Sequence, residues 1–283
     1  MISVVDSHLH VWDPAQFTYP WHTKVQALAK PMALADFDRA MGHHSAEQMV
    51  FVEADVAPGQ HIDEALWVDK LGREDPRIAA IVAHAPIDKG EEVEGDLQAL
   101  AAIDRVRGVR RLLQHENDPA FCLRPTFIAG VRLLPKYNLS FDICIFANQF
   151  EGAIEMVRRC SEVTFILDHL GKPFVRDDVM QPWAAQIERL ASFDNIVCKL
   201  SGLATEADHA HWTEDQLRRY SDHILACFGP ERILYGGDWP VSTLATTLPR
   251  WLGLVEATIA QLSSDEQALV LRDNARRVYR ISQ

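Results

Sequence analysis

The sequence predicts an α/β fold, a (β/α)8 TIM barrel that takes residues 1–283 as one domain with its working face at the C-terminal ends of the strands. Three observations predict it. Short, β-branched apolar runs alternate along the chain with segments of helical period, which implies a parallel sheet. Several of the runs lack polar alternation, as strands buried on both faces do. Ionisable side chains recur at the downstream ends of these runs about every 33 residues, the length of one βα unit. A doubly wound open sheet is the alternative. It is disfavoured because the first run leads into His-x-His rather than a glycine-rich phosphate loop.

The strand candidates are residues 3–7, 49–54, 78–83, 108–113, 139–145, 163–167, 196–200 and 232–235. Between them, Ile62, Ala65, Leu66 and Leu71 form one helical stripe within 60–74. Phe127, Ile128, Val131 and Leu134 form another behind Pro125, whose missing N–H costs nothing at a helix start. Phe150, Ile154 and Val157 make a third, and Ile187 with Leu190 a fourth. Thr213 to Gln216 spells a capping box ahead of Leu217, Tyr220 and Ile224, and Gly229 stops that helix. Ser264 to Gln267 spells a second one for a last helix running to about Tyr279. Trp183 and Trp251 fall on helices as packing residues.

Composition narrows the function. Lys and Arg total 28 against 40 Asp and Glu, a net charge of −12, with 48 % hydrophobic residues. That excludes disorder, and it argues against a nucleic-acid or anionic-membrane surface, which needs clustered cations. No apolar run approaches the ~20 residues of a bilayer span. Five cysteines without a C-x-x-C pair read as reduced thiols, and with no signal-like segment at Met1–Asp6 the expected compartment is the cytoplasm. The expected partner is a small molecule, with a homo-oligomer left open.

Reading only the strand ends gives a cluster. His8 and His10 follow the first strand and, two residues apart, share a face. Glu53 and Asp55 end the second strand and His84 the third; Arg110, Arg111 and Gln114 belong to the fourth and Asp142 to the fifth. Asp168 and His169 end the sixth, Lys199 and Ser201 the seventh, Asp238 and Trp239 the eighth. Such groups are expensive to bury unless they serve each other or a ligand. Imidazoles converging at the mouth suit a divalent metal or a pair of donors around a substrate oxygen. Structural readings stand beside these: His84 as a satisfied buried histidine, Asp168 pointing to the helix side of the wall, and Lys199 paired with Glu53 or Asp142.

Four stretches carry a resemblance: Val5-Asp6-Ser7-His8-Leu9-His10-Val11-Trp12-Asp13-Pro14, Leu167-Asp168-His169-Leu170-Gly171-Lys172-Pro173, Cys198-Lys199-Leu200-Ser201-Gly202-Leu203 and Leu234-Tyr235-Gly236-Gly237-Asp238-Trp239-Pro240-Val241. With the closing Asn274-Ala275-Arg276-Arg277-Val278-Tyr279, they resemble the amidohydrolase-2 branch of the amidohydrolase superfamily, and within it the lactonase group of sugar lactonases and pyrone-dicarboxylate lactonase. The resemblance implies hydrolysis of a sugar-derived lactone such as an aldonolactone. Binuclear relatives use a modified lysine on the fourth strand and a histidine on the fifth; here stand Arg110 with Arg111, and Phe141-Asp142-Ile143. A two-metal site is therefore not expected. The cofactor expectation is none required, or one divalent metal (zinc) on His8, His10 and Asp238.

Lactone hydrolysis needs an activated water, a stabilised oxyanion and a proton for the leaving alkoxide. The expectation assigns Asp238 as base and then acid, His8, His10 and His169 around the carbonyl oxygen, and Lys199 as added positive charge. Glu53, His84, Asp142 and one of Arg110 and Arg111 are expected to bind substrate. The long aromatic segment 12–31 is expected to form an ordered lid, so that Trp21 and Trp239 offer apolar faces to a sugar ring. The alternatives are a metal-dependent decarboxylase of the same branch and a catalytically silent binding barrel.

Overall fold

The computed structural model describes residues 3–282; Met1 and Ile2 of the leader reading and Gln283 of the domain range lie outside them. Eight parallel strands follow one another around a barrel in chain order: β1 (Val4–Leu9), β2 (Ala46–Val52), β3 (Ile78–His84), β4 (Val106–Arg110), β5 (Ser140–Ile143), β6 (Phe165–Leu167), β7 (Ile196–Leu200) and β8 (Ile233–Tyr235). The ring closes through a parallel bridge between Leu9 and Trp239, where His10 N–H donates to the Trp239 carbonyl at 2.8 Å and Asp238 N–H to the His8 carbonyl at 2.8 Å. Register sets Arg110 beside both His84 and Asp142.

The expected strands are all present, with shifted ends. β1 runs on to Leu9 and so carries His8 inside it, while β4 stops at Arg110 instead of 113. The helices are α1 (Leu34–Met41), α2 (His61–Glu74), α3 (Glu94–Ala101), α4 (Pro125–Leu133), α5 (Phe150–Arg159), α6 (Trp183–Ala191), α7 (Glu214–Phe228), α8 (Leu248–Ile259), α9 (Ser264–Ala268) and α10 (Asn274–Tyr279). Thr213 caps α7 by accepting from Gln216 N–H, and Gly229 ends it at φ 68°. The second capping box sits one residue earlier than expected: Ser263 and Glu266 form it. The last helix is also broken, because a π-helical turn (Leu269–Asp273) separates α9 from α10.

Two apolar layers result. The larger lies between strands and helices. The smaller fills the barrel interior with Val5, Val50, Val52, Ala80, Val82, Ile166, Val197 and Leu234, and α10 closes it from below with Ala275, Val278 and Tyr279. Above this plug, inward positions turn from valine to charge. Among the described residues no helix is long and apolar enough to cross a membrane.

Candidate active site

The strands' C-terminal ends open into a cavity of about 450 Å³. Residues 12–31 form its lid. Trp12 holds the lid down through Nε1–H bonds to the Leu28 and Lys30 carbonyls, and Trp21 Nε1–H donates to the Ala54 carbonyl at 2.8 Å. Phe17 packs away on Trp67, and Tyr19 stacks on His22, so Trp12 and Trp21 supply the lid's aromatic faces to the cavity.

Three imidazoles and one carboxylate meet at one side of the cavity: His10, His169 and Asp238 line it and His8 is buried behind them. Asp238 Oδ1 lies 3.6 Å from His10 Nε2, 3.8 Å from His8 Nε2 and 3.9 Å from His169 Nε2. Asp238 (φ 52°) and His169 (φ 53°) both have left-handed backbone, a conformation costly outside glycine and frequent at working sites. Gly202, at φ 59°, leaves them room: a Cβ there would stand 2.5 Å from His169 Nδ1 and 3.0 Å from Asp238 Oδ2. His169 Nδ1 meets Ser201 Oγ at 2.9 Å.

A hydrogen bond decides the His10 tautomer. His10 Nδ1 faces the Val52 carbonyl at 2.7 Å; a carbonyl only accepts, so Nδ1 carries the proton and neutral His10 turns an Nε2 lone pair to Asp238. His8 has a donor at each ring nitrogen: Nδ1 meets the Lys199 ammonium at 3.2 Å and also Asp168 Oδ1 at 3.4 Å, and Nε2 meets the Arg110 guanidinium at 3.4 Å. Of the two expected uses of the paired imidazoles, metal ligand or hydrogen-bond donor, neutral His10 with its Nε2 lone pair suits the first. Burial and then Lys199 hold His8 well below its ordinary pKa, and burial takes His169 down to about 4, against the pull of Asp238. Burial alone would raise Asp238, but His169, His10 and His8 outweigh it and hold the carboxyl below its ordinary value, hence ionised.

Under this wall lies a buried floor of alternating charge. Arg110 Nε donates to Glu53 Oε1 at 2.7 Å, and its Nη1 to Asp168 Oδ2 at 3.1 Å. Lys199 Nζ contacts Asp168 Oδ1 at 3.0 Å and donates to Asp142 Oδ2 at 2.6 Å, an oxygen that also accepts from Tyr279 Oη at 2.8 Å. Burial opposes charge on Asp168, but Lys199 and His8 outweigh it and hold the carboxyl well below its ordinary range.

Several expected site residues are therefore relocated. Asp168 points into the barrel, not to the helix side. Lys199 and Asp142 are fully buried in the floor and do not line the cavity; Lys199 pairs with Asp142, and not with Glu53. Of the two arginines only Arg110 lines the cavity; Arg111 turns out to Asp88 and Glu116. His84 packs against the His61 ring behind the wall, and Trp239 packs edge-on against Phe37. Glu53 and Trp21 do line the cavity. Sequence reasoning passed over Lys172, whose Nζ donates to Gln114 Oε1 at 2.6 Å inside the cavity; its place two residues past the His169-Leu170 pair was the available signal. His115 and Thr205, also on the wall, had none.

One metal ion fits part of this arrangement. His8, His10 and Asp238 offer ligand atoms within 4.8 Å of one another, and the His10 Nδ1–H bond to a carbonyl is the one that metal-bound histidines make. Zinc takes this donor set. Arg110 Nη1, 3.4 Å from His8 Nε2, adds a fixed positive charge that weakens cation binding there.

The amidohydrolase family model matches residues 5–281. The chain is 31 % identical to an L-fucono-1,5-lactonase of Burkholderia multivorans, over 97 % of this chain and 95 % of the relative. It is 27 % identical to a 4-sulfomuconolactone hydrolase of Rhizobium radiobacter, over 84 % of this chain and 75 % of the relative. An amidohydrolase from Burkholderia multivorans solved with bound zinc superposes with a TM-score of 0.87 at 28 % identity, covering 99 % of this chain and all of that one.

Proposed function

The chain belongs to the amidohydrolase family, and on that footing we propose that it hydrolyses a sugar-derived lactone, an aldonolactone such as L-fucono-1,5-lactone, to the open-chain sugar acid. The supporting observation is the single carboxylate oxygen of Asp238, on the cavity wall with His10 and His169, held 3.6–3.9 Å from their nitrogens and from that of the buried His8. Those gaps leave Asp238 Oδ1 without a protein hydrogen bond among the described residues and free to accept from water.

Asp238 takes one proton as the water oxygen attacks the lactone carbonyl carbon. The former carbonyl oxygen gains negative charge, and His169, which lines the cavity, stands as its donor through Nε2–H while its Nδ1 accepts from Ser201 Oγ–H. The tetrahedral species collapses, the bond from carbon to ring oxygen breaks, and Asp238 returns its proton to that oxygen. His10 Nε2, a lone pair, orients the attacking water by accepting its second O–H. A zinc ion held by His8, His10 and Asp238 would polarise the carbonyl. Lys199 and Asp168 lie below the cavity; together with Arg110, which lines it, they hold the His8 ring in place.

The test is an acid-release screen with a pH indicator over 1,4- and 1,5-aldonolactones, run with added zinc and with chelator. Hydrolysis of at least one sugar 1,5-lactone is expected. No hydrolysis of any lactone under either condition would reject the reading.

A further inference from the structure

Asp55 follows β2, two strands around the rim from Asp238. It lines the cavity, yet among the described residues its carboxylate takes no hydrogen bond from any protein group. Its backbone is left-handed at φ 54°, a conformation an aspartate adopts only at some cost. Neighbouring bonds enforce it. Asp55 N–H donates to Glu53 Oε2 at 2.7 Å, Ala54 N–H to Glu64 Oε1 at 3.2 Å, and Glu53 N–H to the Val82 carbonyl at 2.8 Å. The Ala54 carbonyl in turn anchors Trp21. One clamped tripeptide therefore sets an unpartnered carboxylate in the cavity that Trp21, anchored on the same tripeptide, also lines.

That pairing has a chemical meaning. A carboxylate accepts strongly from hydroxyls, while an aromatic face covers the C–H side of a ring. An anionic substituent would instead be repelled by the Asp55 carboxylate. We propose that Asp55 is the specificity-determining residue of this site, accepting a hydrogen bond from a ring hydroxyl of the lactone and so selecting polyhydroxylated, uncharged lactones over bare or anionic ones; this rests on the lactonase reading above. The groups facing Asp55 are Glu53 on its own strand end, Glu64 on α2, and Arg110 and Arg111 on or beside β4. Burial, and then the Glu53 charge, raise its carboxyl to about 6, so the acceptor is at full strength above that pH.

The experiment compares wild type, Asp55→Ala and Asp55→Asn on L-fucono-1,5-lactone and on δ-valerolactone, which has no hydroxyl. A hydrolysis-resistant hexono-1,5-lactam is titrated in parallel by tryptophan fluorescence. The ratio of kcat/KM for sugar lactone over δ-valerolactone should fall about 10- to 100-fold in Asp55→Ala, mostly through KM, and lactam affinity should fall by a similar factor. Sugar-lactone KM in wild type should rise below about pH 6, and Asp55→Asn should lose that dependence. An unchanged ratio and unchanged lactam affinity overturn the proposal, whether or not lactones are hydrolysed. Lactam binding that depends on Asp55, without lactone turnover, would keep the proposal and reject the lactonase reading.

Discussion

Beneath the cavity, Glu53, Arg110, Asp168, Lys199 and Asp142 alternate in charge with contacts of 2.6 to 3.1 Å, and all are buried. On the wall above, Asp238 has no imidazole nitrogen nearer than 3.6 Å, and Asp55 has no side-chain partner. The two regions share residue types and differ in satisfaction. The floor's charges pair with one another, Asp142 Oδ1 being left without a hydrogen bond among the described residues; the wall's groups keep their hydrogen-bonding capacity for something that enters. Left-handed backbone divides the same way: Asp55, His169, Leu170, Lys172 and Asp238 all lie at the mouth, after β2, β6 and β8. A charged residue at a strand end is thus not enough to mark a working group. What marks it is exposure to the cavity without a protein partner.

The sharpest way to break this comparison is to damage the floor. Lys199→Met should leave Asp142 and Asp168 buried without their shared cation and cost about 3–5 kcal/mol of stability, read by denaturant unfolding. A loss below 1 kcal/mol would mean that the floor is not a closed set of mutual partners. Next comes the room the wall needs. Gly202→Ala would drive a methyl group into His169 Nδ1 and should lower kcat/KM about 100-fold; an unchanged value would show that the position of His169 is immaterial.

A smaller effect separates the regions by pH. The folded-state carboxyl of Asp55, about 6, lies above its ordinary 3.8, so between those values the folded protein binds more protons than the unfolded one. Its contribution is full below about pH 4 and is lost as pH rises through about 6. The thermal midpoint of Asp55→Asn should therefore rise relative to wild type between pH 4 and 7; a difference constant with pH contradicts the raised value. The smallest effect belongs outside both regions. Arg111→Ala, which breaks pairs with Asp88 and Glu116, should change kcat/KM less than about twofold; a tenfold loss would place Arg111 back in the site.

Much of this was legible in the residues. Eight apolar runs and their charged ends located every strand and the imidazole–carboxylate cluster, because i and i+2 side chains on β1 share a face and βα units repeat. What escaped were matters of direction and depth. Asp168 follows the inward Ile166 by two residues and so faces inward; what no local pattern announces is the left-handed turn that accompanies the adjacent His169 at the mouth. The choice between Arg110 and Arg111 depended on register with β5. Tyr279 was read as the end of a helix, but its hydroxyl reaches Asp142 because α10 plugs the barrel from below. The His10 tautomer is set by the Val52 carbonyl, 42 positions away in sequence.

The central claim is that Asp238, kept ionised among three imidazoles, activates the water that opens the lactone ring. The direct measurement is the steady-state rate of acid release from a sugar 1,5-lactone by Asp238→Asn, which matches the carboxylate in shape but cannot take the proton. A fall in kcat of about 1000-fold or more with a correctly folded protein is predicted; a rate within tenfold of wild type would contradict it.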